Sequence, residues 1–406
     1  MKEVNHIVPK GWKPISIGTC ISERRKSSIK VDDAANYGQY PFFTSGDNVL
    51  QHTSPLVSGE NIFLATGGVA NVKYYCGEAA FSTDTYTVTT KEGIDTKYLY
   101  YHLLYLREYI NTNFFQGSGL KHLKKKDLKD YVITVPSSIV EQRCIADALS
   151  QIDGAIEKTD ALIGKYESIK KGLMSDLLSC GIDVSGRIRS MASHQFKESP
   201  LGLIPKEWEV VEMSSIMTAI DAQPDHRTPP DADDGVPYVG IGDVDESGHL
   251  IADKCRIVGK YVLEKQKSIL TVENGDIIFG KIGTIGEPKR LPMLRGGYAI
   301  SANVIVIKPK EDAAYLYYTL KSDYVKKEVD LSIHSTSQPA FGMEKIRALL
   351  VKKPLKTEQE SISKILQEVD SYIDDLHTEK AKLSSMAAGL LADLITGRVR
   401  VKYNEL

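Results

Sequence analysis

The sequence predicts an α+β fold in which one plan is written twice, a mixed helix–strand domain followed by a long helix. Three observations predict this fold. The two tryptophans of the 406-residue chain, Trp12 and Trp208, stand in the same apolar-Pro-Lys-x-Trp frame. "EQRCIADALSQID" (141–153) is echoed by "EQESISKILQEVD" (358–370). "SGRIR" (185–189) is echoed by "TGRVR" (396–400). Ordered matches between two halves of a chain indicate an internal repeat.

The two mixed segments carry further matches in the same order. "SGENIFLATGGV" (58–69) resembles "NGDIIFGKIGTI" (274–285), and "YLYYHL" (98–103) recurs as "YLYYTL" (315–320). Short apolar runs bounded by Gly, Pro, Asn and Asp, such as "YVITVP" and "NVIVIKP", predict strands. Tyrosines such as those of "YLYYHLLY" have helical spacing, so we expect them in the core rather than on a surface that stacks bases.

A long helix is predicted after each mixed segment. Ser138–Glu141 and Thr357–Glu360 have the spacing of capping boxes, and Gly181 and Gly397 stand where a left-handed residue would end each helix. Forty residues of helix are about 60 Å long at 1.5 Å per residue. A helix of that length with a narrow apolar seam needs a partner to cover the seam.

The apolar positions of the two helices match, which predicts that they pair as an antiparallel coiled coil with pseudo-two-fold symmetry. The alternative is that each helix lies on its own mixed domain. The predicted packing positions are Ile145, Leu149, Ile152, Ile156, Ile163, Leu173, Leu177, Ile362, Leu366, Val369, Ile373, Leu383, Leu390 and Leu394.

These patterns divide the chain into six segments. We predict a first mixed domain at 1–137, a central long helix at 138–181, a polar Gly- and Ser-containing linker at 182–204, a second mixed domain at 205–355, a C-terminal long helix at 356–397 and a tail at 398–406. Trp12 and Trp208 are expected to anchor each mixed domain on the helix pair.

Composition excludes several classes of protein. The start of the chain lacks a signal-peptide core and no apolar run has transmembrane length, so neither secretion nor a membrane partner is expected. Five scattered cysteines without a C-x-x-C pair argue against disulfide and zinc scaffolds and fit a reducing cytoplasm. The formal net charge of −2 is the sum of regions of opposite charge. The two long helices are acidic, while "KHLKKKDLK" (121–129) is strongly basic.

Two variable mixed domains, each followed by a long helix ending in "[ST]GR[IV]R" and each opened by the "IPK.W"-type frame, resemble the specificity (S) subunit of Type I restriction–modification systems. The resemblance covers nearly the whole chain. It implies that the mixed domains are target recognition domains, each reading half of a bipartite site in double-stranded DNA. It also implies that the helices act as a spacer and dock two methyltransferase (modification) subunits, which the restriction subunits join. S-adenosylmethionine, ATP and Mg would then belong to partner subunits, with no cofactor in this chain.

The expected role is therefore a non-catalytic, cytoplasmic, DNA-binding specificity subunit. Alternatives are the same type of subunit in a smaller restriction system without ATP-driven translocation, and a two-headed protein-binding scaffold. The sequence lacks the N-P-P-[YF] and D-P-P-[YF] motifs of methyltransferases. Pro230-Asp231 and Glu287-x-Lys289 contain the residue types of a nuclease site, but they are 56 residues apart and lack the strands that usually carry such a site, so no catalytic residue is predicted. The histidines lack the spacing of metal ligands, so no metal site is predicted.

Candidate DNA contacts in the first domain lie in three stretches. Lys121, Lys124, Lys125 and Lys126 would neutralise phosphates beside His122, although an ordinary solvated helix face is the alternative. Glycines at 67 and 68 would let backbone amides approach a phosphate beside Lys73, unless they merely shape a hairpin. The third stretch contributes Ser45 and Asn48 as weaker candidates for base contacts.

Candidates in the second domain occupy the matching places. Lys281 and Gly283 correspond to the glycine-rich stretch of the first domain, and Asp243 lies in a loop, "PYVGIGDVD". The polar segment "HSTSQPAFGMEKIR" (334–347) offers Ser335, Ser337 and Gln338 as base-contact candidates, with a plain loop as the alternative.

Overall fold

The computed structural model describes residues 8–34, 37–224, 227–333 and 340–402. The chain forms two compact units. Unit 1 comprises Met1–Asp160 and Glu379–Leu406, and unit 2 comprises Ala161–Thr378. Each unit therefore contains one mixed domain, the first part of the long helix that follows it, and the last part of the other long helix.

The mixed domain of unit 1 is built on short, mainly antiparallel strands. They are β1 (Trp12–Ser16), β2 (Ile21–Glu23), β3 (Tyr40–Phe43), β4 (Val49–His52), β5 (Glu60–Ala65), β6 (Val72–Cys76), β7 (Ala80–Phe81), β8 (Thr85–Thr90), β9 (Phe115–Gln116), β10 (His122–Leu123) and β11 (Val132–Pro136). The sheet orders are β2-β8-β5-β6 and β4-β3-β7, with β1 paired to β11 and β9 to β10.

Helices surround these sheets and lead into the first long helix. They are α1 (Ile17–Cys20), α2 (Thr96–Tyr105), α3 (Arg107–Asn113), α4 (Lys125–Asp130) and the 39-residue α5 (Ile139–Leu177). Tyr98 and Tyr101 of α2 are buried, as their helical spacing predicts, but Tyr105, which was also expected in the core, lies at the end of α2 and is 40% exposed. The Asp95 carboxylate caps α2 by accepting a hydrogen bond from the Tyr98 amide at 2.9 Å.

Unit 2 contains the second mixed domain, preceded by a short hairpin in the predicted linker. The strands are β12 (Phe196–Lys197), β13 (Ile204–Pro205), β14 (Glu209–Glu212), β15 (Met217–Ile220), β16 (Asp231–Val239), β17 (Arg256–Val258), β18 (Ile277–Gly280), β19 (Pro288–Arg290), β20 (Ala299–Ile300), β21 (Val304–Pro309) and β22 (Leu350–Lys353). The helices are α6 (Met213–Ile216), α7 (Lys260–Lys267), α8 (Ala313–Lys321), α9 (Asp323–Ile333), α10 (Met343–Ala348) and the 40-residue α11 (Lys356–Ile395).

The sheets of unit 2 repeat those of unit 1. Their orders are β15-β21-β18-β19 and β17-β16-β20, with β14 paired to β22. The agreement extends to single hydrogen bonds. The hydroxyl of Tyr101 donates to Asp153 at 2.7 Å, and that of Tyr318 donates to Asp370 at 2.6 Å. The repeat predicted from short sequence matches is therefore a repeat of the whole domain.

The two long helices run in opposite directions within each unit. In unit 1, Asp160 of α5 pairs with Lys380 of α11 at 2.5 Å, while Leu149 shares a core cluster with Leu394. In unit 2, the rings of Tyr166 and Tyr372 lie 4.5 Å apart. The predicted antiparallel pairing is confirmed. The alternative is also partly true, because the same clusters include residues of the mixed domains.

The predicted packing positions are buried or half-buried along both helices. Those that are buried are Ile145, Leu149, Ile163, Leu177, Ile362, Leu366, Ile373 and Leu394. Those that are half-buried are Ile152, Ile156, Leu173, Val369, Leu383 and Leu390. The positions nearest the mixed domains are the most deeply buried, since a helix pair alone covers only one stripe of each helix.

The capping box predicted for α11 is wrong, whereas the one predicted for α5 stays a prediction, since α5 begins at Ile139, directly after Ser138. The helix α11 begins at Lys356, so Thr357 lies inside its first turn rather than at the cap. At the start of α5, the Glu141 carboxylate accepts hydrogen bonds from Trp12 and Arg400. A buried carboxylate that binds an indole and a guanidinium gains more than it would from a solvent-exposed cap.

Trp208, Glu358 and Arg189 form a buried hydrogen-bonded cluster in unit 2, which we call the clasp. It explains why a tryptophan, a glutamate and an arginine recur at matching positions of the two copies. The Glu358 carboxylate, 9% exposed, accepts hydrogen bonds from Trp208 Nε1 at 3.1 Å and from Arg189 at 2.5 and 3.2 Å. It also accepts one from the Ile182 amide at 3.0 Å. Gly181, with φ +62°, leaves no space there, because an added Cβ would lie 2.2 Å from Glu358 Oε1.

The clasp of unit 1 has the same parts. Glu141 accepts hydrogen bonds from Trp12 Nε1 at 3.3 Å and from Arg400 at 2.6 and 2.8 Å. Gly397, with φ +70°, again ends the helix beside the tryptophan. Each clasp thus joins the arginine that follows one long helix to the glutamate that begins the other. The expectation that both tryptophans anchor the domains on the helices is confirmed.

Candidate nucleic-acid interface

The glycine-rich loop and the lysine-rich segment of the first domain lie side by side. Gly67 forms a β-bridge with His122, and the Gly68 amide donates to the Lys121 carbonyl at 2.9 Å. On the other side, the Leu123 amide donates to the Thr66 carbonyl at 3.0 Å. Two predicted stretches that are separated by about fifty residues in the sequence therefore form one surface.

The loop that holds Ser45 and Asn48 joins the same surface. Ser45 donates to the Asp84 carbonyl and accepts a hydrogen bond from the Thr66 amide at 3.3 Å. The Lys73 ammonium donates to the carbonyls of Thr44 (3.3 Å) and Gly46, and burial lowers its pKa. Ser45 and Lys73 thus hold the loop in place, while the Asn48 side chain is exposed.

The lysines of the segment differ in what they can contact. Lys121, Lys124 and Lys126 are exposed, as is His122. Lys125 instead lies over the ring of Tyr86, 4.3 Å from its centroid, and burial lowers its pKa. Three exposed ammonium groups on one short segment are suited to phosphates, and none of them makes an ion pair within the described residues.

A further basic stretch, which the sequence analysis missed, lies beside this segment. The charge of Lys26 acts on Lys125, and both Arg25 and Lys26 are exposed. The chain reaches this position because the Arg24 amide extends the pairing of β2 with β8 by donating to the Thr87 carbonyl at 2.9 Å. The signal was the run "ERRKSS" (23–28), which we did not relate to the lysines a hundred residues later.

We name this surface the basic ridge and define it by Arg25, Lys26, Lys121, Lys124 and Lys126. Among the neighbouring acids, Glu23 is neutralised by Lys129 at 3.0 Å, and the hydrogen bond from Lys129 lowers the Glu23 pKa. The exposed Asp127 offsets one of the five cations and leaves the others in excess. The ridge therefore presents net positive charge beside a loop with open backbone at Gly68.

The second domain builds the matching region with buried charge. Lys281 is 6% exposed and forms an ion pair with Asp221 at 2.8 Å, so it is not available on the surface. Gly283, with φ +79°, has open space around it. The Asp243 carboxylate accepts a hydrogen bond from the Gly240 amide at 2.8 Å and so stabilises its own loop.

Three of the predicted contacts in the second domain, Ser335, Ser337 and Gln338, lie outside the described residues. The candidate contacts that are described remain predictions, and Lys281 is the one among them that is buried. The two domains thus share a fold but differ in sequence here, because the segment that matches the lysine-rich one, residues 334–347, has one Lys and one Arg against five Lys at 121–129.

No group of three or more His, Cys, Asp or Glu side chains among the described residues is arranged to hold a metal ion. In the same ranges, none of the helices combines the length and apolar character required to cross a membrane. The five cysteines are all free thiols.

Comparison with known proteins identifies the architecture. The sequence model of the Type I restriction modification DNA specificity domain matches the chain twice, at residues 9–163 and 205–384. Each match covers one mixed domain and the first part of the long helix that follows it.

Relatives match over nearly full length. The MjaVIII specificity subunit of a Type I restriction enzyme from Methanocaldococcus jannaschii is 24% identical, over 97% of this chain and 94% of the relative. The EcoDI specificity subunit from Escherichia coli is 22% identical, over 98% and 90% respectively.

Solved structures show the same fold. The S subunit of a Type I restriction–modification system from M. genitalium aligns with a TM-score of 0.64 at 17% identity, over 97% of this chain and 98% of that one. A chain from a study of complex assembly and conformational transition of the type I R-M system aligns with a TM-score of 0.54 at 14% identity, over 97% and 99%. With both repeats matched by the family's sequence model, this chain belongs to the Type I restriction modification DNA specificity family.

Proposed function

We propose that this chain is the DNA-reading subunit of a Type I restriction–modification complex and that each mixed domain reads one half of a bipartite target. The basic ridge is the observation that carries this proposal. It places five exposed cations next to an open loop, so phosphates can orient the duplex while neighbouring polar side chains such as Asn48 and His122 reach base edges.

The weak surface charge of the second domain's matching region suggests a division of labour. The first domain would supply more of the salt-dependent affinity, and the second would contribute through polar and backbone contacts. Lys281 would then support its loop through Asp221 rather than bind a phosphate directly.

The proposed partners are two methyltransferase subunits on the long helices, joined by restriction subunits. Exposed apolar side chains on the helices of unit 2 support docking there. Leu162 and Ile169 are both 39% exposed and lie two turns apart on α5, and Tyr372 of α11 is 42% exposed. S-adenosylmethionine, ATP and Mg²⁺ would be bound by those partners, and this chain would have no catalytic activity of its own. This role places the protein in the cytoplasm with the DNA.

Methylation-sensitive sequencing tests the proposal. Cells that express the chain with its methyltransferase partner should show a bipartite methylated motif. Replacing residues 208–353 with the matching domain of another specificity subunit should change one half of that motif and leave the other half intact. An unchanged motif, or methylation by the purified chain alone, would contradict the assigned role.

A protein-binding scaffold is the competing function. It is distinguished by duplex binding of the purified chain, which should fall steeply with added salt and should differ between duplexes of different sequence if the chain reads DNA. Salt-insensitive binding without sequence discrimination would favour the scaffold.

A further inference from the structure

A cavity of about 560 Å³ lies within unit 2, where the last turns of α5 face the junction of α8 and α9. Met174 and Leu178 form its apolar side, and Tyr324 and Lys352 come from the mixed domain. Small-molecule sites in proteins have volumes of about 300–1,000 Å³ and combine an apolar wall with a few polar groups. The cavity has the size and the mixed lining of such a site.

The charge of the cavity is unbalanced. Its lining includes Lys170, Lys171, Lys321, Lys326, Lys327 and Lys352 but, as acids, only Glu167 and Asp323. Two of the lysines are neutralised from outside the lining. Lys170 pairs with Asp370 at 2.5 Å, and Lys321 pairs with Glu246 at 2.6 Å. The other four form no ion pair among the described residues, so the cavity has net positive charge.

Lys352 is the most unusual of these groups. It is 6% exposed, and its ammonium has no carboxylate partner in the described chain. The centroid of the Tyr324 ring is 5.1 Å from its nitrogen, and Cys180 also interacts favourably with its charge. The Tyr324 hydroxyl is buried near Ser322, Thr319 and the Lys352 backbone, but none of them meets it with good hydrogen-bonding geometry. Burying an unpaired charge destabilises a fold, so an uncompensated ammonium and hydroxyl at one cavity indicate a missing anion.

The internal repeat shows that the fold does not require this lysine. Lys352 pairs with Val210 in β14, two residues after Trp208, and the residue in the same register of unit 1 is Thr134, which pairs with Pro14. The matching recess in unit 1 measures about 170 Å³ and is lined by groups such as His102, Tyr105 and Thr134, without a lysine. The cationic cavity is therefore a property of unit 2 alone.

We propose that this cavity binds a free phosphorylated small molecule of about nucleotide size. Its phosphates would lie against Lys352, Lys326 and Lys327, near the N-terminus of α9, where backbone amides also favour an anion. Its apolar part would lie against Met174, Leu178 and Tyr324. A free ligand fits better than a duplex, because the Lys352 side chain, 6% exposed, lies in a recess that a phosphate held on the DNA backbone does not enter.

Calorimetric titration of the full-length chain with ADP and, separately, with pyrophosphate tests this proposal. We expect saturable binding of ADP. Lys352→Met keeps most of the apolar stem of the side chain and removes its charge, and it should weaken ADP binding by about tenfold or more. Lys364→Met is the matched control, because Lys364 is an exposed lysine of α11 that does not line the cavity. This control should bind ADP like the parent protein.

Stability provides a second readout. Without ligand, Lys352→Met should unfold at a temperature equal to or above that of the parent, because the variant no longer buries an unpaired charge. With ADP, only the parent and Lys364→Met should gain thermal stability. Absence of saturable binding of both probes at millimolar concentration, or equal binding by the two variants, overturns the proposal. So does tenfold weaker duplex binding by Lys352→Met together with displacement of ADP by duplex, which would assign the phosphate to DNA.

Discussion

Glu358→Gln should destabilise unit 2 more than any other single neutralisation of an acid in that unit's helices. Glu358 accepts hydrogen bonds from Trp208, Arg189 and the Ile182 amide, and both side chains of its ion pair with Arg189 are only 9% exposed. Glutamine keeps the shape of the side chain but removes the charge, and it replaces one acceptor oxygen with a donor that faces other donors.

The magnitude follows from the burial of the pair. Removing one partner of a buried ion pair costs about 3–5 kcal/mol, because the other charge is left uncompensated. Since glutamine retains one acceptor, we expect a loss near the lower end, about 3 kcal/mol.

The two tryptophans make the measurement specific to a unit. In a Trp12→Phe background, Trp208 is the remaining tryptophan, so its fluorescence during urea unfolding reports the clasp of unit 2. The control is Glu360→Gln, an exposed position two residues further along α11, which should change the free energy of unfolding by about 0.5 kcal/mol or less.

Two outcomes would refute the reasoning. One is a loss below about 1 kcal/mol for Glu358→Gln, the range expected of a surface pair. The other is strict additivity in a double-mutant cycle with Arg189→Met, because two groups that share a buried ion pair should couple and the double variant should lose less than the sum of the single losses.

Three further predictions concern Gly181, the buried His102 and the basic ridge. Gly181→Ala should destabilise unit 2 by about 2 kcal/mol or more in the same urea assay, because the added Cβ would collide with Glu358 and Trp208. The control is Gly186→Ala, which is also at positive φ but in open space and should destabilise by about 1 kcal/mol. Equal losses for the two variants would show that the close approach at Gly181 is unimportant. Burial lowers the pKa of His102 to about 4. The unfolded chain therefore binds a proton that the folded chain does not, so unfolding titrations should show stability present above pH 6.5 and lost between about pH 6.5 and 4, and His102→Gln should flatten that decline. Triple replacement of Lys121, Lys124 and Lys126 by Ala should weaken duplex binding and reduce the salt slope of log K by about 2–3, whereas three exposed lysines of α11 replaced in the same way should leave the slope unchanged.

The repeat could be predicted from sequence because the residues that form it are close together in each copy. The tryptophan frame and the glycine that ends each long helix are local patterns, and the structure places them as expected. The antiparallel pairing followed from equal apolar spacing in two helices of equal length.

The clasp and the basic ridge were harder to predict because each joins distant segments. Nothing local distinguishes Glu141 as a partner of Arg400 from Glu141 as a capping residue, since both roles require a carboxylate at the helix start. Lys26 lies near Lys125 because β2 pairs with β8. Strand order is set by the tertiary structure, so a local sequence pattern does not reveal this proximity. The burial of Lys281 likewise depends on Asp221, sixty residues earlier in the chain.

The division of the chain into units has a consequence for synthesis on the ribosome. Unit 2 is one continuous stretch, Ala161–Thr378, whereas unit 1 needs residues from both ends of the chain, including Arg400. The first domain is translated early, yet its clasp stays open until Arg400 is made, 240 residues after Asp160. At about 5–20 residues per second, that interval is roughly 12–48 s. During this time Glu141 lacks its guanidinium partner, so a nascent chain truncated before Arg400 would carry a finished second domain and an incomplete first one.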